Sequence, residues 1–283
     1  MAAPSDDASV LLLCVETHPR LWQAAAAGGA DTAQALGFVA FMQHLLVFVN
    51  AFLLLNGANQ LVVCAMHSDG CHILYQSPQL QTDGAAHADV AGAAAPTTLL
   101  AARVGELRGA DDSGAAVLPT PLSAALSRVL CYANKAMRGP AGTATHRCRI
   151  LCLHGSPDTP SQYVGTMNAI FCAQNLGVPI DVCLLGAQES PFLQQAASLT
   201  GGLYMRPPRP QALVQYLMTV FAADVLSRTA MQLPHPKGVD FRASCFCHKR
   251  VLHIGYVCSV CLSIYCTACK ECNTCGAEFG VPA

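Results

Sequence analysis

The chain has 283 residues, of which 53% are hydrophobic and 12% are charged, and its formal net charge is −1. This length and apolar content exclude disorder over most of the chain, and the balanced charge excludes a global field that would attract nucleic acid or anionic lipid. Because the charged fraction is about half of the roughly 25% usual in soluble domains, we expect other protein chains to cover part of the surface.

Apolar runs in the first third of the chain predict one long helix and three strands. Residues 10–15 indicate a strand, residues 32–55 a helix, and residues 61–66 and 71–75 two strands joined by the turn at 68–70. The three strands are short enough to be buried in one sheet, and the last two form a hairpin.

The segment 36–55 within this helix is long enough to cross a bilayer of about 30 Å. It contains three polar residues, and no Lys or Arg lies between Arg20 and Arg103 to orient it in a membrane. We therefore expect a helix buried in a protein core, with a membrane span as the alternative.

Two segments without a recognisable motif follow the hairpin. Residues 79–95 are rich in Ala and Gly and predict a surface loop whose role the sequence leaves open. A second polar loop, near residues 111–114, comes after a short helical segment. Apolar residues at helical spacing then predict a helix that begins after Pro121.

Strands and helices alternate in the remainder of the large domain. The sequence predicts strands at 149–154, 178–185 and 203–205, and helices at 162–176, 191–199 and 210–227. Such alternation indicates an α/β fold, with a mostly parallel sheet and helices on both of its faces. Beyond the Pro-rich stretch 233–238 the composition changes, which predicts a domain at 8–230, a linker at 231–243 and a small module at 244–283.

Half of the sixteen cysteines lie in the short stretch between Cys245 and Cys275. The other eight stand singly, and those within apolar runs are expected to be small buried hydrophobic side chains. The first residues are acidic and contain no apolar stretch long enough for a secretory signal, so we expect a reducing, intracellular compartment. In that compartment, clustered cysteines favour a metal site over disulfides.

The cysteine-rich module contains two C-x-x-C pairs separated by ten residues, enough for one tetrahedral zinc site. Four more cysteines interleave with these pairs and would permit a second, cross-braced zinc ion, in which His248 could replace one cysteine. The predicted ligands of the first site are Cys258, Cys261, Cys272 and Cys275, and the candidates for the second are Cys245, Cys247, Cys266 and Cys269. The sequence therefore predicts one zinc ion and permits two.

A closed four-thiolate site has no open coordination position, so it predicts a binding role and no catalysis. The charged residues of the module sum to +1, far from the basic stripe of a nucleic-acid reader. We expect Tyr256 and Tyr265 to be aromatic residues of the core, with a base-stacking role as the alternative. Apolar residues such as Ile254, Val257 and Leu262 are expected to form a small core and a protein-docking face.

The C-terminal segment closely resembles the zinc segment of one family, the smaller von Willebrand factor A-like subunits of the transcription and DNA-repair factor TFIIH. The resemblance lies in ASCFCHKRVLHIGYVCSVCLSIYC and CNTC, and further in IDVCLLG, FLQQAASLTGGLYMRP and ALVQYLMTVF. It extends over residues 10–279 and is strongest in the zinc segment and in the last third of the large domain.

This resemblance implies a von Willebrand factor A-like domain followed by a four-cysteine finger, in a non-enzymatic structural subunit located in the nucleus. The implied partners are the larger A-domain subunit of TFIIH, through its RING-like module, and the helicases of the same complex. The implied processes are transcription initiation by RNA polymerase II and nucleotide excision repair. No Lys/Arg-rich import signal is visible, and import together with a partner would supply the route.

Many domains of the A-like fold hold a divalent metal through a D-x-S-x-S motif, a Thr and an Asp. By the resemblance, these positions correspond here to Glu16, His18 and Arg20, to Thr120 and to His154. This set lacks the hard oxygen ligands that Mg²⁺ requires, and Arg20 adds a cation, so we predict no magnesium in the large domain. His18 and His154 are expected to be ordinary strand-end or loop histidines, and the alternative is that they converge with Glu16 on another metal.

Other catalytic signals are weak. The sequence contains no G-x-x-x-x-G-K-[ST] loop, no G-x-G-x-x-G fingerprint and no G-x-S-x-G elbow. Asp158 and Glu189 lie near predicted strand ends, where single carboxylates usually cap helices or face solvent. Two alternatives to a structural subunit remain open, a RING-type ubiquitin ligase, suggested by the interleaved cysteine pairs, and a DNA-binding zinc finger.

Overall fold

The structure is a computed structural model that describes residues 9–19, 21–22, 36–80, 95–109, 120–138, 147–234, 245–248 and 252–279. The large domain contains six strands, β1 (Ser9–Glu16), β2 (Gln60–Met66), β3 (Cys71–Gln76), β4 (Arg147–His154), β5 (Ile180–Leu184) and β6 (Tyr204–Met205). They form one sheet in the order β3-β2-β1-β4-β5-β6, parallel throughout except for the antiparallel pair of β2 and β3.

Helices cover both faces of this sheet. They are α1 (Phe38–Leu55), α2 (Pro96–Gly109), α3 (Leu122–Met137), α4 (Tyr163–Leu176), α5 (Pro191–Thr200) and α6 (Leu213–Tyr216), which continues as a π-helical turn over Leu217–Phe221. Helices α3, α4 and α5 pack on one face, and α1, α2 and α6 pack on the other. The strand order is that of a doubly wound sheet, so the predicted von Willebrand factor A-like α/β fold is confirmed.

Most of the sheet is buried because helices shield both of its faces. Every residue of β1, β2 and β5 is buried, which explains their continuous apolar sequences. Four of the single cysteines, Cys14, Cys64, Cys152 and Cys183, lie in this core as predicted. They fill space as small apolar side chains.

The long helix α1 packs on the sheet through one face only. Phe41, Phe48 and Phe52 are buried against the sheet, whereas Val39 and Leu54 remain 70% and 85% exposed. Among the helices of the described residues, α1 has the length and hydropathy to cross a membrane. The prediction of a core helix therefore holds for one face, and the opposite face is an apolar surface.

Glycines end the helices α4 and α5 where the sequence predicts, and polar side chains cap the start of α5. Gly177 and Gly201 adopt left-handed conformations after α4 and α5, with φ of 66° and 71°. At the start of α5, Asp158 accepts hydrogen bonds from the hydroxyl of Ser190 (2.6 Å) and the N–H of Phe192 (3.0 Å). Ser190 is the N-cap residue of α5, and Asp158 supports this cap, in line with the expectation for a single carboxylate near a strand end.

The last helix is shorter than predicted, ending at Phe221 instead of residue 227. The reason is a buried guanidinium, because Arg149 donates to the carbonyls of Phe221 and Ala222 and so takes acceptors that a longer helix would use. Arg149 also lies 3.7 Å from the buried carboxylate of Asp181, which pairs with Arg228 at 2.8 Å. This network ties the end of the helix to the sheet.

The predicted domain limits stay predictions. The last described element of the large domain is a 3-10 turn over Ser227–Ala230, and most of the predicted linker 231–243 lies outside the described residues. The same is true of most of the predicted loop 79–95 and of the loop near residues 111–114. In the module, β7 (Tyr256–Val257) and β8 (Ile264–Tyr265) form a two-stranded antiparallel sheet.

Candidate metal centre

The two C-x-x-C pairs of the module are turns of the same kind. The N–H of Leu262 donates to the carbonyl of Cys258 (2.9 Å), and the N–H of Gly276 donates to the carbonyl of Cys272 (2.8 Å). Each hydrogen bond spans four residues and closes the turn that carries one pair of cysteines. These two hydrogen bonds give both pairs of cysteines the same turn geometry.

The sulfur atoms of these two pairs converge on one point. All four lie within 4.8 Å of one another, and two distances are shorter, 3.7 Å between Cys258 and Cys275 and 3.5 Å between Cys261 and Cys272. Tetrahedral thiolates at 2.3 Å from one zinc ion are about 3.8 Å apart, whereas a disulfide needs about 2.05 Å. The donors of this four-cysteine cluster (Cys258, Cys261, Cys272 and Cys275) therefore fit zinc.

A small core holds the four-cysteine cluster. Tyr265 is 4% exposed, and its hydroxyl lies 3.2 Å from the sulfur of Cys272 and 2.9 Å from the hydroxyl of Thr274. Burial raises the pKa of the Cys272 thiol, but the hydrogen bonds from Tyr265 and from nearby backbone N–H groups lower that pKa to about 6. A thiol that ionises readily is a good zinc ligand.

A second group of metal-ligating atoms lies in the same module. The shortest distances are 3.3 Å between the sulfurs of Cys247 and Cys266 and 3.3 Å between the sulfur of Cys266 and Nδ1 of His248. The four side chains of this mixed cluster, Cys245, Cys247, His248 and Cys266, have their ligand atoms within 4.8 Å of one another. His248 takes the fourth position in this group.

Cys269, the remaining candidate for a second site, lies elsewhere. It is partly buried and packs against the core formed by Cys258, Tyr265 and Cys272. The two clusters interleave along the chain, because the mixed cluster takes residues before and after the first C-x-x-C pair. This is the order that the sequence permits for two cross-braced ions, with His248 in place of Cys269.

The expectation for the apolar residues of the module is correct in part. Tyr265 is a core residue, but Tyr256 is 56% exposed, so the prediction of a core position for Tyr256 is wrong. Ile254, Val257 and Leu262 are also exposed. The core is small because the cysteines and Tyr265 fill it, which leaves these side chains on the surface.

At the carboxyl end of the large sheet, Glu16 and His154 form a buried ion pair. Nδ1 of His154 lies 2.8 Å from Oε2 of Glu16, without the alignment of a hydrogen bond. The same carboxylate accepts from the N–H of Gly155 (2.7 Å), from the N–H of Ser156 (3.1 Å) and from the hydroxyl of Thr120 (2.9 Å). Its oxygens are therefore already satisfied by the protein.

The pairing of Glu16 with His154 shifts the pKa values of both side chains. Burial would raise the pKa of Glu16, but the charge of His154 and the hydrogen bonds lower it to about 2. Burial would lower the pKa of His154, but the charge of Glu16 raises it to about 9. The imidazolium supplies the positive charge that a metal ion would supply elsewhere, so these donors do not fit Mg²⁺. His18 is buried as well, and Arg20 lies outside the described residues.

Some of these contacts were not visible in the sequence. The segment after β4 carries no motif, yet Gly155 and Ser156 hold the Glu16 carboxylate. The contact of the module with the large domain, through the ring of Phe246, joins residues more than 50 positions apart in the chain. The only sequence signal for this contact was the aromatic residue between the cysteines of C-F-C-H.

Comparison with known proteins finds one family over almost the whole chain. The profile of the transcription factor Tfb4 family matches residues 8–276. The chain is 44% identical over 283 residues to the general transcription and DNA repair factor IIH subunit TFB4 of Arabidopsis thaliana, covering 98% of this chain and 90% of that protein. It is 40% identical over 261 residues to the general transcription factor IIH subunit 3 of Dictyostelium discoideum, covering 87% and 69%.

A solved structure agrees with these matches. The crystal structure of the TFIIH p34 N-terminal domain superposes with a TM-score of 0.59 and 29% identity. It covers 76% of this chain and 99% of that domain. Both the sequence of the whole chain and the fold of its large part are therefore similar to those of one group of proteins.

Proposed function

The chain belongs to the Tfb4 family of transcription factors, and on that premise we propose that it is a structural subunit of the general transcription and DNA repair factor IIH. In this role it works in the nucleus, in transcription initiation by RNA polymerase II and in nucleotide excision repair. The observation that carries the proposal is the match over residues 8–276, which includes the cysteine-rich module as well as the large domain.

The chemistry of the two candidate sites supports a subunit without catalysis. Four thiolates around one zinc ion leave no open position for substrate. We assign this structural zinc to the four-cysteine cluster, where it would supply the cross-link that so small a module needs to fold. In the large domain, Glu16 and His154 form an ion pair at the positions that correspond, by the resemblance, to the divalent-metal site of other A-like domains.

The surface supports assembly with other proteins. The face of α1 that points away from the sheet exposes Val39, Val47 and Leu54. The module exposes Ile254 and Val260 to 87% and 69%. Apolar side chains in such numbers, on a chain with only 12% charged residues, are typical of a subunit whose surface other chains cover.

The partner that we propose is the larger A-domain subunit of the same complex, which would bind through its RING-like module and link this chain to the helicases. The test is co-expression of the two full chains, followed by size-exclusion chromatography. We expect one peak with both chains in equal amounts. Separate elution at micromolar concentration would contradict the proposed partner.

One observation favours a second candidate function. The ligands of the four-cysteine and mixed clusters interleave, as in the cross-braced arrangement of RING modules. A RING-type ligase acts by positioning a charged ubiquitin-conjugating enzyme. An autoubiquitylation assay with a panel of conjugating enzymes separates the two functions, because a structural subunit gives no product and a ligase does.

A further inference from the structure

The mixed cluster (Cys245, Cys247, His248 and Cys266) brings three sulfurs and one imidazole nitrogen together without a carboxylate. This donor set excludes Mg²⁺ and Ca²⁺, which prefer oxygen ligands, and matches the structural zinc sites that use three cysteines and one histidine. The distance of 3.3 Å between Cys266 and Nδ1 of His248 is close to the roughly 3.5 Å expected for tetrahedral zinc. No ligand position stays open.

The mixed cluster lies where the segment around Phe246 is attached to the small sheet of the module. Phe246 lies between two of its cysteines in the sequence, and its N–H donates to the carbonyl of Ile264 in β8 (2.8 Å). The segment that carries three of the four ligand atoms is thus fixed to the small sheet at one residue. Cys266, the fourth ligand, follows β8 directly.

The ring of Phe246 leaves the module and contacts the large domain. It meets the ring of Tyr163 edge-on at 4.6 Å between centroids, and the ring of Phe192 lies at 6.4 Å. Tyr163 and Phe192 pack on each other at 5.5 Å. Tyr163 is the first residue of α4 and Phe192 the second residue of α5, so the contact lies at the carboxyl edge of the sheet.

We propose that the mixed cluster binds a second zinc ion, and that this ion holds Phe246 between α4 and α5 and so fixes the module to the large domain. Without the ion, the segment around Phe246 keeps one hydrogen bond to β8 and loses the four bonds that set the direction of the ring. The four-cysteine cluster packs around Tyr265 in the core of the module. The two ions therefore have different tasks, one within the module and one at its joint with the domain.

The proposal concerns the isolated chain and does not depend on membership in a larger complex. The first measurement is the zinc content of the purified full chain by atomic emission. We expect two ions per chain in the wild type, one in Cys247→Ser and in His248→Ala, and two in the matched control Cys269→Ser, because Cys269 lies outside both clusters. A wild-type content of one ion would overturn the second site.

The second measurement is hydrogen exchange in peptides that cover residues 160–176 and 190–200. Loss of the joint should speed exchange there by about tenfold in Cys247→Ser, while β4 stays protected and Cys269→Ser exchanges as the wild type does. Phe246→Ala keeps both ions and should give the same faster exchange, which tests the joint even if Cys247→Ser folds poorly. Unchanged exchange in Phe246→Ala would overturn the joint. A failure of partner binding would alter neither result, so the two proposals fail separately.

Discussion

Leu262 and Gly276 occupy equivalent positions in the two knuckles of the module, with φ of 60° and 72°. Each follows the second cysteine of its pair and donates its N–H to the carbonyl of the first. The left-handed conformation suits glycine and costs a leucine about 1 kcal/mol. Leu262 is 64% exposed, so burial within the chain offsets little of that cost.

We expect Leu262→Gly to leave the unfolding free energy of the zinc-loaded module within about 0.5 kcal/mol of the wild type, because relief of strain offsets the added freedom of the unfolded chain. Gly276→Ala is the matched change in the other knuckle and should lower it by about 1 kcal/mol. Chemical unfolding with zinc in excess measures both. Equal losses in the two variants would contradict this account of the turns.

The ion pair of Glu16 and His154 predicts a pH dependence. Because the folded pKa of His154 is raised to about 9, its contribution is complete below the unfolded value of about 6.5 and is lost as the pH rises through 9. Because the folded pKa of Glu16 is lowered to about 2, its contribution is present above about 4.3 and is lost as the pH falls toward 2. Urea unfolding of the wild type should show both losses.

The control for this dependence is the pair of neutral substitutions. The double variant Glu16→Gln/His154→Gln should fold, and its unfolding free energy should change less between pH 6.5 and 9 than that of the wild type. His154→Gln alone should be less stable than the double variant by a few kcal/mol at pH 7, because it leaves Glu16 buried without its counter-charge. A single variant as stable as the double one would refute the pair as the source of the effect.

Asp181 should be critical for the stability of the large domain. It is fully buried, lies 3.7 Å from Arg149 and accepts from Arg228. Asp181→Ala leaves two guanidinium groups without their carboxylate and should cost about 3–5 kcal/mol in unfolding free energy. Asp69→Ala, which removes an exposed partner of His72, should cost less than about 1 kcal/mol. Comparable losses would contradict the buried network.

Removal of zinc should unfold the module and leave the sheet of the large domain folded. We expect Cys272→Ser to lose the ion of the four-cysteine cluster and to unfold residues 252–279, because the core there holds few apolar side chains. The sheet of the large domain has its own core on both faces and should keep its melting temperature within a few degrees. Cys131→Ser, on the exposed side of α3, is the control. Circular dichroism with zinc analysis distinguishes these outcomes.

Most of the sheet could be predicted because its strands are continuous apolar runs and its helices end at glycines such as Gly177 and Gly201. The two C-x-x-C pairs were equally visible, since four ligands lie at fixed spacing. The end of the last helix was not, because it depends on Arg149, about 70 residues earlier in the chain. His248 was a candidate ligand from the sequence, but its grouping with Cys266 in place of Cys269 and the contact of Phe246 with Tyr163 depend on distant residues, which spacing alone does not reveal.

The central claim is membership in factor IIH, and the most direct test is affinity purification of the tagged full chain from nuclear extract with mass spectrometric quantification. The account predicts that the larger A-domain subunit and the helicases co-purify in amounts equal to the chain and remain bound through size-exclusion chromatography. Recovery of the chain alone, or with ubiquitin-conjugating enzymes in place of these subunits, would contradict it.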